Sequence, residues 1–479
     1  MLSRFATCPG LFYPTPAEDG ILSRMRIPGG IINSEQCRAI ADIADQHGGG
    51  YVDVTNRANL QIREIRTPIN SQVLNHLQDI GLGSGNTDVD HIRNIMTSPT
   101  AGIDPQELID TRPFVQAWDN YLAAHPALSA LSAKFSVCFD GGGIVQVSDR
   151  LNDILFAAVL VDGNVYFRLH LCVGAKGQPP SDMKILLTPN DCLPVLAALA
   201  NVYLNHTDIN NNQRRLRLKE LLNTLGCENY LQEVQQCLPF PLFCSEISPV
   251  AQKIDTKYQH LGIHPQRQKG LFYIGVVLPL GRVESRQMRG LADLAAKYGS
   301  GTLRLTPWQN LLLTDIPQER LTDVQNQITL LELDSSPSNI KSALVACSGN
   351  KGCAASATDT KNHALALAEY LETRLTLEHP INIHFTGCQK SCAQHSQSDI
   401  TLLGVNLEKD NKTVEAYHVY LADTNSTHKF GRQLYQYVTF CELPALIEQI
   451  LQMYKIEHQN FHESFQEFAN GYPLPQLHN

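Results

Sequence analysis

Four cysteines stand in two close pairs late in the chain, Cys347-x5-Cys353 and Cys388-x3-Cys392. Each pair lies in a glycine-bearing loop, with Gly349 and Gly352 in the first and Gly387 just before the second. Four thiolates with backbone N–H groups nearby suit a 4Fe–4S cluster, because small residues let the main chain approach the sulfides. A structural zinc ion also accepts four thiolates, usually from pairs two to four residues apart. Unliganded core cysteines are the third reading. The other nine cysteines are scattered singly and read as small buried hydrophobes. A disulfide framework is not expected in a long chain without an export signal.

A second set is basic. In Thr55-Asn-Arg57-Ala-Asn59-Leu-Gln61-Ile-Arg63 the polar residues alternate, placing Arg57, Asn59, Gln61 and Arg63 on one strand face. Two guanidiniums and two amides can bind carboxylates, and the competing reading is an ordinary solvated strand face. Arg93-Asn94, Lys134 and Asp140-Gly-Gly-Gly143 are further candidates, and His384 and His395 flank the second cysteine pair. Dinucleotide-binding and phosphate-loop glycine patterns, a serine-nucleophile elbow and a zincin motif are all absent.

Positioning these groups falls to a duplicated unit. Residues 28–65 shifted by 251 fall on 279–316 without a gap, and fourteen of the 38 positions are identical. Gly10-Leu-Phe-Tyr13 also recurs as Gly270-Leu-Phe-Tyr273. Each copy reads strand, helix, strand. In the first, Ile40, Ile43 and Ala44 keep helical spacing, Gly48-Gly-Gly50 stops the helix, and Val52, Val54, Leu60 and Ile62 alternate. One copy is too small for a good core, so the two are expected to pair about a pseudo-twofold axis. Between and after the copies, strand patterns (134–140, 154–162, 165–171) mix with helical ones (115–123, 193–204, 213–225, 364–375). The fold class predicted is α+β.

The 479 residues suggest about three domains. With 43% apolar and 18% charged residues the chain is globular. A net charge of -9 argues against a general nucleic-acid binder. No apolar run approaches the ~18 residues of a membrane span, and no secretory signal is seen, so the expectation is a cytoplasmic protein.

The half-repeats, the Thr-x-Arg-x-Asn-x-Gln strand, Arg93-Asn94, His264-Pro-Gln266 and the cysteine pairs resemble the nitrite/sulfite reductase superfamily of sirohaem and 4Fe–4S enzymes over nearly the whole chain. The resemblance implies ferredoxin-like half-repeats at 1–66 and 270–335, paired in one domain. It implies α+β domains at 67–240 and 336–454, the latter binding the cluster, a linker at 241–269 and a polar tail at 455–479. It makes Cys347, Cys353, Cys388 and Cys392 the cluster ligands, with Cys392 also bridging to sirohaem iron in that family. Arg57, Arg93 and Lys134 match three of the four basic groups that ring the reductases' anion, and Ser136 stands at the fourth.

Within the superfamily, Cys8-Pro-Gly-Leu11, Arg57-Ala-Asn-Leu-Gln61, Ser98-Pro-Thr-Ala-Gly102, Asp140-Gly-Gly142 and Gly387-Cys-Gln-Lys-Ser-Cys-Ala393 resemble the precorrin-3B synthases of aerobic cobalamin synthesis. That branch implies an O2-dependent monooxygenase that hydroxylates precorrin-3A at C20 and closes the ring A acetate into a γ-lactone. Arg57, Asn59, Gln61, Arg63 and Arg93 would hold the tetrapyrrole, and Lys134 would lie nearer the reaction. A mononuclear non-haem iron would activate oxygen, with His384, His395 and Asp140 as candidate ligands. The alternative is a sirohaem- and 4Fe–4S-dependent ferredoxin nitrite or sulfite reductase. Either way a ferredoxin or flavoprotein is the expected donor, and the internal duplication is consistent with a monomer.

Overall fold

The computed structural model describes residues 8–174, 177–206, 216–245, 258–337, 339–409, 411–423, 426, 428–461 and 464–472. Each repeat builds a five-stranded sheet whose last strand comes from the other repeat. The first runs Thr15–Ala17, Gly20–Met25, Leu60–Ile65, Tyr51–Val54 and then Arg282–Glu284. The second runs Gly262–Pro265, Leu271–Val276, Leu311–Pro317, Thr302–Leu305 and then Ile31–Asn33.

Helices Ser34–His47 and Ser285–Tyr298 start alike. Asn33 and Gln36 form a capping box, and so do Glu284 and Gln287, satisfying donors that a helix start leaves open. Their apolar faces (Ile40, Ala41 and Ala44; Leu291, Ala292 and Ala295) enter one core shared by both repeats. The pseudo-twofold shows in the ion pairs across it. Arg38 meets Asp293 at 2.7 Å, and its copy Arg289 meets Asp42 at 2.7 Å.

Asn59 belongs to this framework. Its Oδ1 accepts the Ile27 N–H at 2.8 Å, and in the second repeat Asn310 Oδ1 accepts the Leu278 N–H at 3.1 Å. Thr55 and Thr306 hydroxyls each accept the N–H of the residue four further on. The side chain read from the sequence as a ligand group therefore locks a turn. Asn59→Ala strands a buried N–H, so it should cost about 1–3 kcal/mol. Denaturant unfolding of the variant would read this as an earlier midpoint, with cluster absorbance per folded molecule unchanged.

The two α+β regions share a topology that their sequences conceal. Ile95–Thr97, Val137–Asp140 and Ile154–Val161 are parallel, followed by antiparallel Asn164–Leu171 and Ser181–Leu187. Leu344–Ala346, Ile383–Thr386 and Ile400–Lys409 are likewise parallel, followed by antiparallel Lys412–Leu421 and Arg432–Thr439. The duplication thus extends beyond the half-repeats.

Some boundaries differ from the sequence reading. The strand expected from Lys134 begins at Val137, because Phe135 N–H closes a turn onto Ser132 O at 2.8 Å. The helix expected over 213–225 is Leu218–Leu225, broken from Cys227–Gln236 by Gly226 at φ 85°; residues 213–215 lie outside the described residues. The stretch read as a linker holds the strand Gly262–Pro265, while 246–257 lie outside the described residues. The stretch read as a polar tail continues helix Leu443–Phe461 and adds Phe465–Gly471, whose Phe465 and Phe468 are buried in the second α+β core.

Candidate active site

The cysteine cage follows from strand register. Ala346 and Phe385 are parallel partners, so the loops carrying Cys347 and Cys388 leave the same end of one sheet. Gly387 N–H donates to Cys347 Sγ at 3.3 Å, and the Thr360 hydroxyl lies 3.4 Å from the same sulfur. The Cys392 thiol is pushed up by burial and then by Cys388, Cys347 and Cys353, so the four cysteines share one neighbourhood. Yet among the described residues no three of them gather within 4.8 Å. A tetrahedral zinc site, with Zn–S of about 2.3 Å, would hold its sulfurs about 3.8 Å apart. The wider cage and its backbone donor fit a 4Fe–4S cluster.

Close approach of the chain is built in. A Cβ on Gly387 would collide with Ser356 Oγ, and one on Gly352 would come within 2.7 Å of Arg63 Nη2. Arg63 therefore packs on the cage instead of facing a free cleft. Its Nε and Nη2 hold Asp19 at 2.7 and 2.9 Å, and Nη2 also donates to Gly352 O at 2.9 Å. Asn56 Nδ2 donates to Ala393 O at 2.9 Å, joining the first half-repeat to the chain just past Cys392.

Beside the cage lies a cavity of about 350 Å³ lined in part by Asn56, Arg57, Arg150, Trp308, Gln394 and His395. Arg57 is fixed by Asn152 Oδ1 and Leu151 O, both at 3.0 Å. Gln61, with its amide turned to satisfy its neighbours, accepts from Arg24 Nη2 at 2.8 Å. Arg24 is lowered to about 10 by burial and by neighbouring Arg26, and it also feels Arg57 and Cys392. Arg26 is only 1% exposed, and its Nε and Nη1 have no hydrogen-bond partner among the described residues. A buried guanidinium with orphaned donors is costly unless an anion completes it. Arg24 and Arg57, both near Cys392, thus fit a cofactor with several carboxylates.

Arg24 and Arg26 were missed in the sequence. Their signal was asymmetry between the repeats, because the 251-residue shift sets them against Gly275 and Val277. Arg93 is placed apart from the first cavity. It grips Asp119 at 2.6 and 2.8 Å and lines a second cavity of about 280 Å³ with Arg26 and Arg112. Lys134 is exposed, and Ser136 Oγ donates to Asp153 at 3.1 Å. Among the described residues His384, His395 and Asp140 form no common metal-binding group. Asp140 accepts N–H groups from Gly142, Val147 and Ser148, which commits its carboxylate to a loop. His384 is fully buried, and burial pushes it down to about 3.

The family model described as the nitrite/sulfite reductase ferredoxin-like half domain matches residues 13–73 and 264–331. The model described as the nitrite and sulphite reductase 4Fe-4S domain matches 88–242. The chain belongs to the nitrite and sulfite reductase family. The 4Fe–4S domain match covers the first α+β region, whereas the four paired cysteines sit in its topological twin.

Chloroplastic ferredoxin–nitrite reductase of Zea mays is 33% identical over 86% of this chain and 74% of its own. Ferredoxin–nitrite reductase of Leptolyngbya laminosa is 32% identical over 94% of this chain and 88% of its own. The NirA protein of Mycobacterium tuberculosis superposes with a TM-score of 0.80 at 25% identity, covering 95% of this chain and 84% of that one.

These relatives overturn the expected precorrin-3B synthase activity, and with it precorrin-3A, O2 and the non-haem iron. Some of the residues that suggested that branch serve as loop-building groups. Ser98 Oγ donates to Val145 O at 2.7 Å, and Asp140 accepts the Val147 N–H at 2.8 Å. The family's reductases are oxidoreductases, and so is this chain. No helix among the described residues is long and apolar enough to cross a membrane.

Proposed function

We propose that the chain is a ferredoxin-dependent nitrite reductase that carries a 4Fe–4S cluster and sirohaem. One observation carries the reading: Asn56 binds the chain just past Cys392 and, with Arg57 and Arg150, lines the adjoining cavity. A one-electron carrier at Cys392 would then lie against a pocket suited to an acidic macrocycle. Relatives of this chain that span most of its length are named ferredoxin–nitrite reductases.

Cys347, Cys353, Cys388 and Cys392 would hold the cluster. Arg24, Arg26 and Arg57 would hold the carboxylates of sirohaem, which supplies an iron where the substrate anion binds and is reduced. Arg57 would provide the positive field for that anion, whereas Arg93, in the second cavity, is kept charged by Asp119 and Asp90, whose carboxylates outweigh burial and balance its charge. Arg63 is a positioning residue that holds the Cys353 loop against the first half-repeat. Ferredoxin is the proposed donor.

Purified protein should show a Soret band with red-region bands, iron in excess of one per chain and acid-labile sulfide. Reduced ferredoxin should then drive nitrite consumption. A cluster spectrum without any Soret band, together with no turnover of nitrite, would sink the reading. Turnover of sulfite far faster than nitrite would move the substrate and leave the scaffold assignment standing.

A further inference from the structure

Away from the cluster, two imidazoles and a carboxylate meet on the outer side of the second α+β region. Glu378 and His379 sit in the loop before strand Ile383–Thr386, and His458 lies in helix Leu443–Phe461. Their ligand atoms all lie within 4.8 Å of one another. Among the described residues this is the only trio of histidine, cysteine and carboxylate groups that does so. We propose that Glu378, His379 and His458 bind a divalent transition-metal ion with a taste for nitrogen, such as Zn2+ or Ni2+.

Three features support the site. First, the donor set is chemically apt. Imidazole suits zinc and nickel, and two imidazoles with one carboxylate leave coordination positions for water. Bound zinc, with ligand distances of about 2.0–2.1 Å, would draw the donors to about 3.3 Å apart, a small side-chain adjustment. Second, the loop is held from both sides. Leu377 and Ile381 are buried at 5% exposure each and turn the intervening Glu378 and His379 outward. Third, the helix residue is oriented from its own element. Tyr454, one turn earlier, places its hydroxyl 3.5 Å from His458 Nδ1 and packs on Phe465 and Phe468.

An ion there would pin the loop that enters the Cys388 strand to the C-terminal helix. It would be structural and separate from electron transfer. The inference stands whether or not the chain reduces nitrite.

The test uses the whole purified protein with its own cofactors. Anaerobic calorimetric titration with Ni2+ alone is compared among wild type, His379→Ala, His458→Ala and Glu378→Gln. The expected result is one site in wild type, weakened at least tenfold by either histidine change and less by the glutamine. Wild type, but neither alanine variant, should gain thermal stability on adding Ni2+. Binding of equal stoichiometry and affinity in all four proteins would overturn the site, since exposed cysteines would then account for the metal. So would the absence of wild-type binding at 100-fold excess metal.

Discussion

Cys392→Ser should yield a folded protein without its cluster absorbance and with nitrite reduction lowered by about a thousandfold or more, the scale of losing a catalytic element outright. A serine hydroxyl is harder and far less acidic than a thiol, so it is a poor ligand for iron in a thiolate cage. The structure explains why the rest should survive. Cys392 keeps more exposed surface than its three companions, so its side chain contributes little to the core. Asn56 still reaches Ala393 O, and Gly387 N–H still reaches Cys347 Sγ. Far-ultraviolet circular dichroism should therefore overlay wild type while visible absorbance collapses. An active Cys392→Ser protein with a full complement of iron and sulfide would remove these cysteines from the cluster.

The second large effect has opposite signs in two forms of the protein. Arg26→Met should stabilise the cofactor-depleted chain by about 1–3 kcal/mol, because it replaces a buried charge carrying two orphaned donors with an apolar side chain of similar length. In cells supplying sirohaem, the same variant should retain less of it and lose nitrite reduction in proportion. Urea unfolding of depleted protein and the Soret-to-protein absorbance ratio of holoprotein measure the two effects. If the depleted variant is less stable than wild type and the holoprotein keeps a full Soret band, Arg26 is an ordinary core arginine.

The half-repeats and the pairing of the cysteine loops were legible because each rests on a pattern that survives without coordinates. Paired cysteines in glycine loops announce a close approach of the chain, and an ungapped repeat keeps its caps, as Gln36 and Gln287 do. What the sequence hid was partnership. The alternation of Asn59, Gln61 and Arg63 predicted one shared face, but each side chain answers a neighbour far along the chain: Ile27, Arg24 and Asp19. Asp140 resembled a site residue because a buried carboxylate that gathers three N–H groups is as particular about its surroundings as a ligand would be. The choice of branch failed for a similar reason, since Ser98 and Asp140 in its motifs build loops in this chain. The twin α+β sheets kept strand order while losing residue identity, which only the fold reveals.

The exchanged edge strands bear on how the chain is made. Tyr51–Val54 waits for Arg282–Glu284, about 230 residues later, before its sheet is complete. At ~5–20 residues per second a ribosome needs about 10–45 s to deliver that partner. Throughout that interval a nascent chain carries an open, largely apolar strand edge, the kind that recruits other chains. Neither half can be released as a finished unit, so synthesis of this protein places its greatest demand on chaperones in mid-translation, well before the cofactors can bind.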